Sequence, residues 1–473
     1  MYQPPIVNFP VFSVTWSEST DAKGVTTPAV LAAGGGGAGK TGVGNKISLI
    51  SVKAVKGKPS YTIANELETS PETCNCVAAS GNGQLVAAAV GEHVRIYASN
   101  PSGFHLLSNV QADFAEEESS ISSIAFADRT LEGNGNGEAS GGMLLATGGE
   151  DGMLRVWELR ADRSKSRAGG SAGGGRGGDR PPSLVASLVA ECGGHKKPIT
   201  CVRFHPSSLV VLTASKDGTC RLWDWQREKE VALLPASSSV PPSARPQAVM
   251  CRSCCFSPSK DNALFTVQSG SRGHAHVVEW KYKLGRGEGG GGGIECSVEP
   301  SRTVNVSRHP VTSLCVRSDG ARLAVGNVEG TVLVYRLPGF AKVMEHPVHD
   351  LPVTGLAFAR AEAGVALEGY DLLAGSADYK ITLFKSQGSA TKLAFKQTAV
   401  FLWSTVSFLV RWTYWLVVTL LWCALTAIPV LGLLGLALAA FFRPDELIIV
   451  LRTIAGMEVD TGSDGVDYVP VVT

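Results

Sequence analysis

Charge is scarce in this chain and evenly split. Only 18 % of residues are Asp, Glu, Lys or Arg, and 43 basic against 42 acidic side chains leave a net charge of +1. No global field therefore draws in nucleic acid or an anionic membrane surface. Paired cysteines are also missing: the eleven present are an odd number spread over 473 residues, a poor match to a disulfide-stapled scaffold and in keeping with a reducing compartment. The close groupings, Cys74 with Cys76 and Cys251 with Cys254 and Cys255, have no second Cys or His pair at zinc-site spacing and read as small buried strand residues. The opening MYQPPIVNFPVFSVTW lacks a basic segment followed by an apolar one, so no cleavable signal peptide is expected and the N-terminal part is expected in the cytosol. What the chain does have is 44 % apolar residues, enough for a substantial core, and 54 glycines concentrated at particular places.

The longest apolar run lies near the C-terminus. Between Arg411 and Arg443 stand 31 residues without a formal charge, where about 20 suffice to cross a hydrocarbon core as a helix. Trp403, Trp412, Tyr414 and Trp415 crowd one end and Phe441 and Phe442 mark the other, as interfacial aromatic belts do. The reading is a single transmembrane helix at 412–442, preceded by a juxtamembrane segment at 399–411 and followed by a luminal tail at 443–473. Lys392, Lys396 and Arg411 against Arg443 and Arg452 place residues 1–398 on the cytosolic side.

Within those 398 residues one unit recurs seven times: an apolar strand, a Gly/Asp/Asn turn, and an alternating strand ending in a large residue. The terminal residues are Ile50, Tyr97, Trp157, Trp223, Trp280, Tyr335 and Phe384, spaced 47, 60, 66, 57, 55 and 49 apart, against about 40 to 45 for a WD-type blade. Gly/Ser/Pro-rich insertions near 131–142, 161–183, 236–246 and 285–293 account for the excess. The fourth unit matches the WD pattern best, with Gly194 and His195 followed by SKDGTCRLWDW. His195, Ser215, Asp217 and Trp223, with Thr219, are expected to hydrogen-bond across that blade's strands and to play a structural role. Asp151 and Trp157, and Asp378, hold corresponding places. The expected fold is therefore all-β: a seven-bladed WD-type propeller followed by the transmembrane helix, with Phe9 to Trp16 either opening the first blade or closing the ring on the last.

The first unit differs from the rest at its turn. Gly34 to Thr41 reads GGGGAGKT, which satisfies the phosphate-binding pattern G-x-x-x-x-G-K-[ST]. That chemistry needs a helix after the loop, whose N-terminus holds the phosphates. Gly42 and Gly44 oppose a helix, and Ile47, Leu49 and Ser51 alternate with Ser48 and Ile50 as in a strand. The chain itself is not expected to bind nucleotide. A long glycine-rich loop on a blade rim can instead aim carbonyls at a cation and its tip at a partner.

On the run AAGGGGAGKTGVGNKISLI, the seven units and the C-terminal apolar span, the chain resembles the endoplasmic-reticulum guanine-nucleotide exchange factors for the small GTPase that starts COPII coat assembly, the prolactin regulatory element-binding protein family. The resemblance implies a first-blade loop that binds a potassium ion and inserts beside the GTPase's nucleotide site. It assigns the exchange role to Asn45, with Val43 as an apolar contact, and the partner-binding loop to Gly34, Gly35, Gly36, Gly37, Gly39, Lys40, Thr41 and Gly42. Gly37, Gly39 and Gly42 would hold potassium through backbone carbonyls. Gly44 stands where some relatives carry proline. Implied partners are the GTPase, the reticulum membrane and other coat components, and the chain would regulate a GTPase without covalent chemistry of its own. The alternative within the family is an exchange-inactive scaffold that helps specific membrane cargo leave the reticulum. A nucleic-acid role would rest on Arg160, Arg163, Lys165, Arg167, Arg176 and Arg180, but that stretch has no aromatic stacking residues and reads as a solvated linker.

Overall fold

The computed structural model describes residues 7–20, 23–37, 39, 42–127, 142–162, 183–236, 249–258, 262–270, 272–286, 293–386, 413 and 415. The chain divides into two units, Met1–Gly388 and Ser389–Thr473. The expected span at 412–442 and the tail at 443–473 lie outside the described residues, except Thr413 and Trp415, both helical. Among the described residues no helix is long and apolar enough to cross a membrane.

Among its described residues the first unit is all-β apart from one short helix, Ala361–Ala366, and a single 3-10 turn. Its strands form seven antiparallel sheets at 11–68, 74–111, 121–192, 199–234, 250–307, 311–347 and 353–384, here called blades 1 to 7. Six have four strands joined in sequence order, and blade 7 has three among the described residues. The chain is a seven-bladed β-propeller.

Sheets with two apolar faces need neighbours on both sides, and the core shows that this need is met. Seven hydrophobic clusters exist among the described residues, and each lies between one pair of adjacent blades. The second strand of every blade is buried over most of its length, and Val211–Ser215 in blade 4 and Leu372–Ser376 in blade 7 are buried throughout. These strands are runs of Val, Leu and Ala without alternation, the pattern of a sheet covered on both faces.

Around the axis run the seven innermost strands, and each has a register shift just after its start. The residue on the far side of the shift is small every time: Ser13, Cys76, Ser123, Cys201, Ser253, Ser313 and Gly355. A bulge raises local twist, and small side chains let seven strands crowd round one axis. Hydroxyls then staple neighbouring blades. Thr200 Oγ1 donates to the Cys251 carbonyl at 2.7 Å and Thr354 Oγ1 to the Val11 carbonyl at 2.8 Å, while Thr312 Oγ1 does the same for Val353. Ser13 and Ser123 accept from the backbone N–H of Val77 and Val202 in the following blades.

Phe9 to Trp16 opens the first blade. Val11–Thr20 is its innermost strand and pairs with Thr26–Gly34, so no strand is shared with blade 7 among the described residues. Side chains close the ring instead. Phe9, Val11 and Val14 pack with Leu373, Ile381 and Leu383 of blade 7, and Trp16 Nε1 donates to the Ala357 carbonyl at 3.0 Å. Phe9 is fully buried at that joint. Phe9→Ala is therefore expected to cost about 3 to 5 kcal/mol, read as a lower urea midpoint of the full-length protein, whereas a loss under 1 kcal/mol would show that the joint does not hold the ring.

Candidate functional site

The hairpin between the second and third strands of blade 1 sets that blade apart. Thr26–Gly34 ends and Lys46–Val55 begins with eleven residues between them, where the equivalent connections in the other six blades take two to five. The residues after the loop form a strand with Ile47, Leu49 and Ile50 buried, so no helix N-terminus faces the glycines. A phosphate cradle of the kind the GGGGAGKT string suggests is not built here.

Two glycines are required by space at the loop's base. A Cβ on Gly34 would overlap the Pro10 carbonyl oxygen, and one on Gly35 would overlap the Asn45 side chain. Gly35 N–H donates to that Pro10 carbonyl at 3.0 Å. Further out, Gly37 and Gly42 hold φ of +81° and +75°, a left-handed backbone that costs side-chain-bearing residues strain.

Asn45 ties the loop together. It is 2 % exposed. Its Oδ1 accepts from Gly37 N–H at 3.0 Å, and its Nδ2 donates to the carbonyls of Gly37 at 3.1 Å and Pro71 at 2.9 Å. Its own backbone is anchored as well, with N–H donating to Ser70 Oγ at 3.3 Å and the carbonyl accepting from Thr69 N–H at 2.8 Å. One side chain thus reaches back eight positions to Gly37 and joins the loop to the segment that leads into blade 2. Val43 packs against the buried cluster of blades 7 and 1. Gly39 and Gly42 are exposed at the tip, and Gly36 and Gly37 are half-buried. Lys40 and Thr41 lie outside the described residues. The glycines from Gly34 to Gly42, Val43 and Asn45 therefore belong to one element, but Asn45 faces inward and braces the loop from beneath.

The structural set of blade 4 comes together with one addition. His195 Nδ1 meets Asp217 Oδ2 at 2.9 Å, and His195 Nε2 meets Thr213 Oγ1 at 2.8 Å, which also accepts from Trp223 Nε1 at 2.9 Å. The hydroxyl between Trp and His is thus Thr213. Ser215 binds the Lys197 carbonyl at 2.9 Å, and Thr219 donates to Asp217 at 2.7 Å. Burial lowers the His195 pKa below its ordinary value of 6.5. Burial works to raise the Asp217 carboxyl, but hydrogen bonds from Thr219, His195 and Lys196 N–H outweigh it and hold the group well below the carboxylate range.

Other blades keep parts of this set. Blade 3 joins Trp157 Nε1 to Thr147 Oγ1 at 3.1 Å, but Arg155 takes the histidine's place against Asp151 at 2.6 Å. Blade 7 pairs His349 with Asp378 at 3.1 Å, while Ala374 and Phe384 stand in register where blade 4 has Thr213 and Trp223. His349 Nε2 is consequently buried without a partner. Of the basic residues considered for nucleic acid, Arg160 pairs with Glu158 at 2.8 Å and the rest lie outside the described residues.

Thr213→Val leaves the Trp223 N–H and His195 Nε2 unpaired, at an expected cost of about 1 to 3 kcal/mol in the urea-unfolding free energy; an unchanged value would show that the network carries no stability. Acid sensitivity follows from the same groups. His195, His205, His276 and His349 are all lowered, first by burial, so near their ordinary value of 6.5 the unfolded chain binds protons that the folded one refuses. Their stabilising contribution is present above about pH 6.5 and is lost as pH falls toward the folded values. Asp217 and Asp378, also lowered, extend the loss below their ordinary 3.8. Urea midpoints should fall between pH 7.5 and 5, with a shallower slope in His195→Gln; a midpoint that rises on acidification would contradict this.

Comparison with known proteins agrees with the blade assignment. The family model of the WD domain, G-beta repeat, matches residues 114–158 and 186–224, within and around blades 3 and 4. Apoptotic protease-activating factor 1 of Danio rerio is 30 % identical over 151 residues, 32 % of this chain and 9 % of that protein, so the chain spans under a tenth of the curated relative's length. Sqt1 from Chaetomium thermophilum, a solved structure, aligns over 81 % of this chain and 83 % of its own at 17 % identity and a TM-score of 0.49. The chain carries WD40 repeats on a seven-bladed β-propeller.

Proposed function

We propose that this chain is a guanine-nucleotide exchange factor for the small GTPase that initiates COPII assembly, and that the blade 1 hairpin is the element that opens the GTPase. The observation that carries the reading is the bracing of one enlarged hairpin by Asn45, which engages both amide protons and the amide oxygen on loop and neighbour backbone. A wedge must resist being pushed back, and a glycine tip must approach another protein's backbone closely. WD40 propellers are interaction scaffolds, and this hairpin is where the scaffold departs from its repeat.

The mechanism needs no bond chemistry. A protein that binds the nucleotide-free GTPase better than the loaded form weakens GDP by the same factor by which GDP weakens it. Gly39 and Gly42 at the tip would reach the nucleotide site, Asn45 would hold them in position, and Val43 would link the loop to the core. An apolar span at 412–442 would raise the local concentration of the exchanger beside the reticulum membrane, with residues 443–473 luminal.

The carbonyls of Gly37, Gly39 and Gly42 suit a potassium ion. Gly37 O accepts from Asn45 Nδ2 and keeps its second lone pair, and the left-handed glycines let neighbouring carbonyls converge. Neutral carbonyl donors favour a weakly hydrated monovalent cation over calcium. The ion would stiffen the hairpin.

The second reading, an exchange-inactive scaffold for membrane cargo, draws on the burial of Asn45, whose side chain is spent on its own loop. Release of fluorescent GDP separates the two. The purified full-length protein is expected to accelerate release, and Asn45→Ala, which removes three hydrogen bonds, to cut the acceleration about tenfold or more. Wild type without acceleration would favour the scaffold, and an Asn45→Ala variant as fast as wild type would remove the bracing role.

A further inference from the structure

The axial channel is lined by the innermost strands of all seven blades and encloses a cavity of about 360 Å³. Its composition is lopsided. Arg203 of Ile199–Phe204 in blade 4 and Arg252 of Met250–Phe256 in blade 5 both line it, and among the described lining residues there is no Asp or Glu. Every other inward position carries a hydroxyl, a thiol, an amide or an apolar group. Arg95 sits against Glu72 and Arg221 against Glu230, whereas no carboxylate lines the cavity beside these two.

Neither guanidinium meets a carboxylate among the described lining residues. Arg203 Nη1 donates to the adjacent Val202 carbonyl at 2.9 Å, and Arg252 Nε is buried with no partner. Burial lowers Arg252 from its ordinary range, the mark of a charge taken out of water without a counter-charge. The channel thiols supply little: burial pushes Cys76 and Cys315 up, while a hydrogen bond with Cys254, against burial and aided by Arg203, pulls Cys201 down. Cys201 can answer one guanidinium at most.

Both arginines line the same cavity. They come from neighbouring blades, and the register puts them at different heights: Arg203 lies beyond the bulge residue Cys201, and Arg252 precedes its counterpart Ser253. Guanidinium forks are matched to the paired oxygens of phosphate. The staples use the hydroxyls of Thr200, Thr312 and Thr354, which leaves the arginine N–H groups as the strongest donors facing the lumen.

We propose that the axial channel binds an oxyanion of the phosphate class, free or as the ester of a small polyol, between Arg203 and Arg252. Its occupancy ties blade 4 to blade 5 and so stabilises the ring, by an amount set by ligand concentration over the dissociation constant. The site is independent of the blade 1 hairpin, so exchange activity neither supports nor opposes it.

Titration calorimetry and thermal unfolding of the full-length protein at fixed ionic strength test this with three probes: inorganic phosphate, inositol hexakisphosphate and chloride. Saturable binding and a raised melting temperature with either phosphate probe, but not with chloride, are expected. Inorganic phosphate acting alone would identify the free ion, and the polyphosphate acting alone an ester; both support the site. Arg203→Gln and Arg252→Gln should each weaken binding about tenfold or more, and Arg252→Lys, which keeps the charge, should weaken it less than Arg252→Gln. No saturable binding by wild type, or equal binding by wild type and a correctly folded Arg203→Gln/Arg252→Gln double variant, would overturn the proposal.

Discussion

Closing seven sheets into a ring, with no strand shared between the last and the first among the described residues, is the constraint on which the rest of this molecule depends. Each blade is a short meander that cannot bury both faces alone, so the stability of one is conditional on its two neighbours. The solution lies at the axis. Seven bulges at equivalent positions twist the innermost strands, small residues let them approach, and threonine and serine hydroxyls bind the backbone of the next blade. At the last joint, Phe9 supplies packing and Trp16 a hydrogen bond to blade 7. A ring closed in this way holds its rim connections at fixed positions, and that permits one of them to be enlarged.

The hairpin of blade 1 and the His–Thr–Trp–Asp set of blade 4 solve related problems by different means. In blade 4 an inter-blade loop is tied to the turn of its own sheet by His195 and Asp217, with Thr213 and Trp223 extending the chain of hydrogen bonds into the core. Blade 1 has no such histidine. There Asn45 bonds Gly37 within the hairpin and Pro71 in the connection to blade 2, so a single amide replaces the network and stabilises a much longer loop. The polar atoms are satisfied in both cases, as buried groups must be.

Much of this was legible in the sequence because the repeat is a physical unit. An apolar run, a Gly/Asp turn and a strand ending in Trp or Tyr specify two central strands of a blade, and the ends of those units, including Trp157, Trp223 and Trp280, fall in the third strands of their blades. Asp217 and His195 were readable because the WD pattern fixes their spacing. Thr213 was not, since a threonine inside VVLTAS is an ordinary strand residue until the fold puts Trp223 and His195 on either side of it. His349 was hidden for the same reason, in a blade where Ala374 and Phe384 had removed the rest of the pattern. The way the ring closes could not be read at all, because Phe9 and Leu383 are 374 positions apart and share only apolar character. The loop's length and its lack of a following helix were plain from Gly42, Gly44 and the β-branched run. The inward turn of Asn45 was not, because its partner Pro71 lies 26 residues on, in a connection with no motif of its own.

The central claim, that the braced tip meets the GTPase where its nucleotide sits, can be tested by proximity more directly than by rate. A photo-crosslinking amino acid at position 39, exposed at the tip of the hairpin, should capture the GTPase when its nucleotide has been removed, with the crosslink mapping beside the nucleotide site, and should lose that capture when GDP is bound. Capture of equal strength with and without GDP, or crosslinks mapping to a surface remote from the nucleotide, would contradict the account.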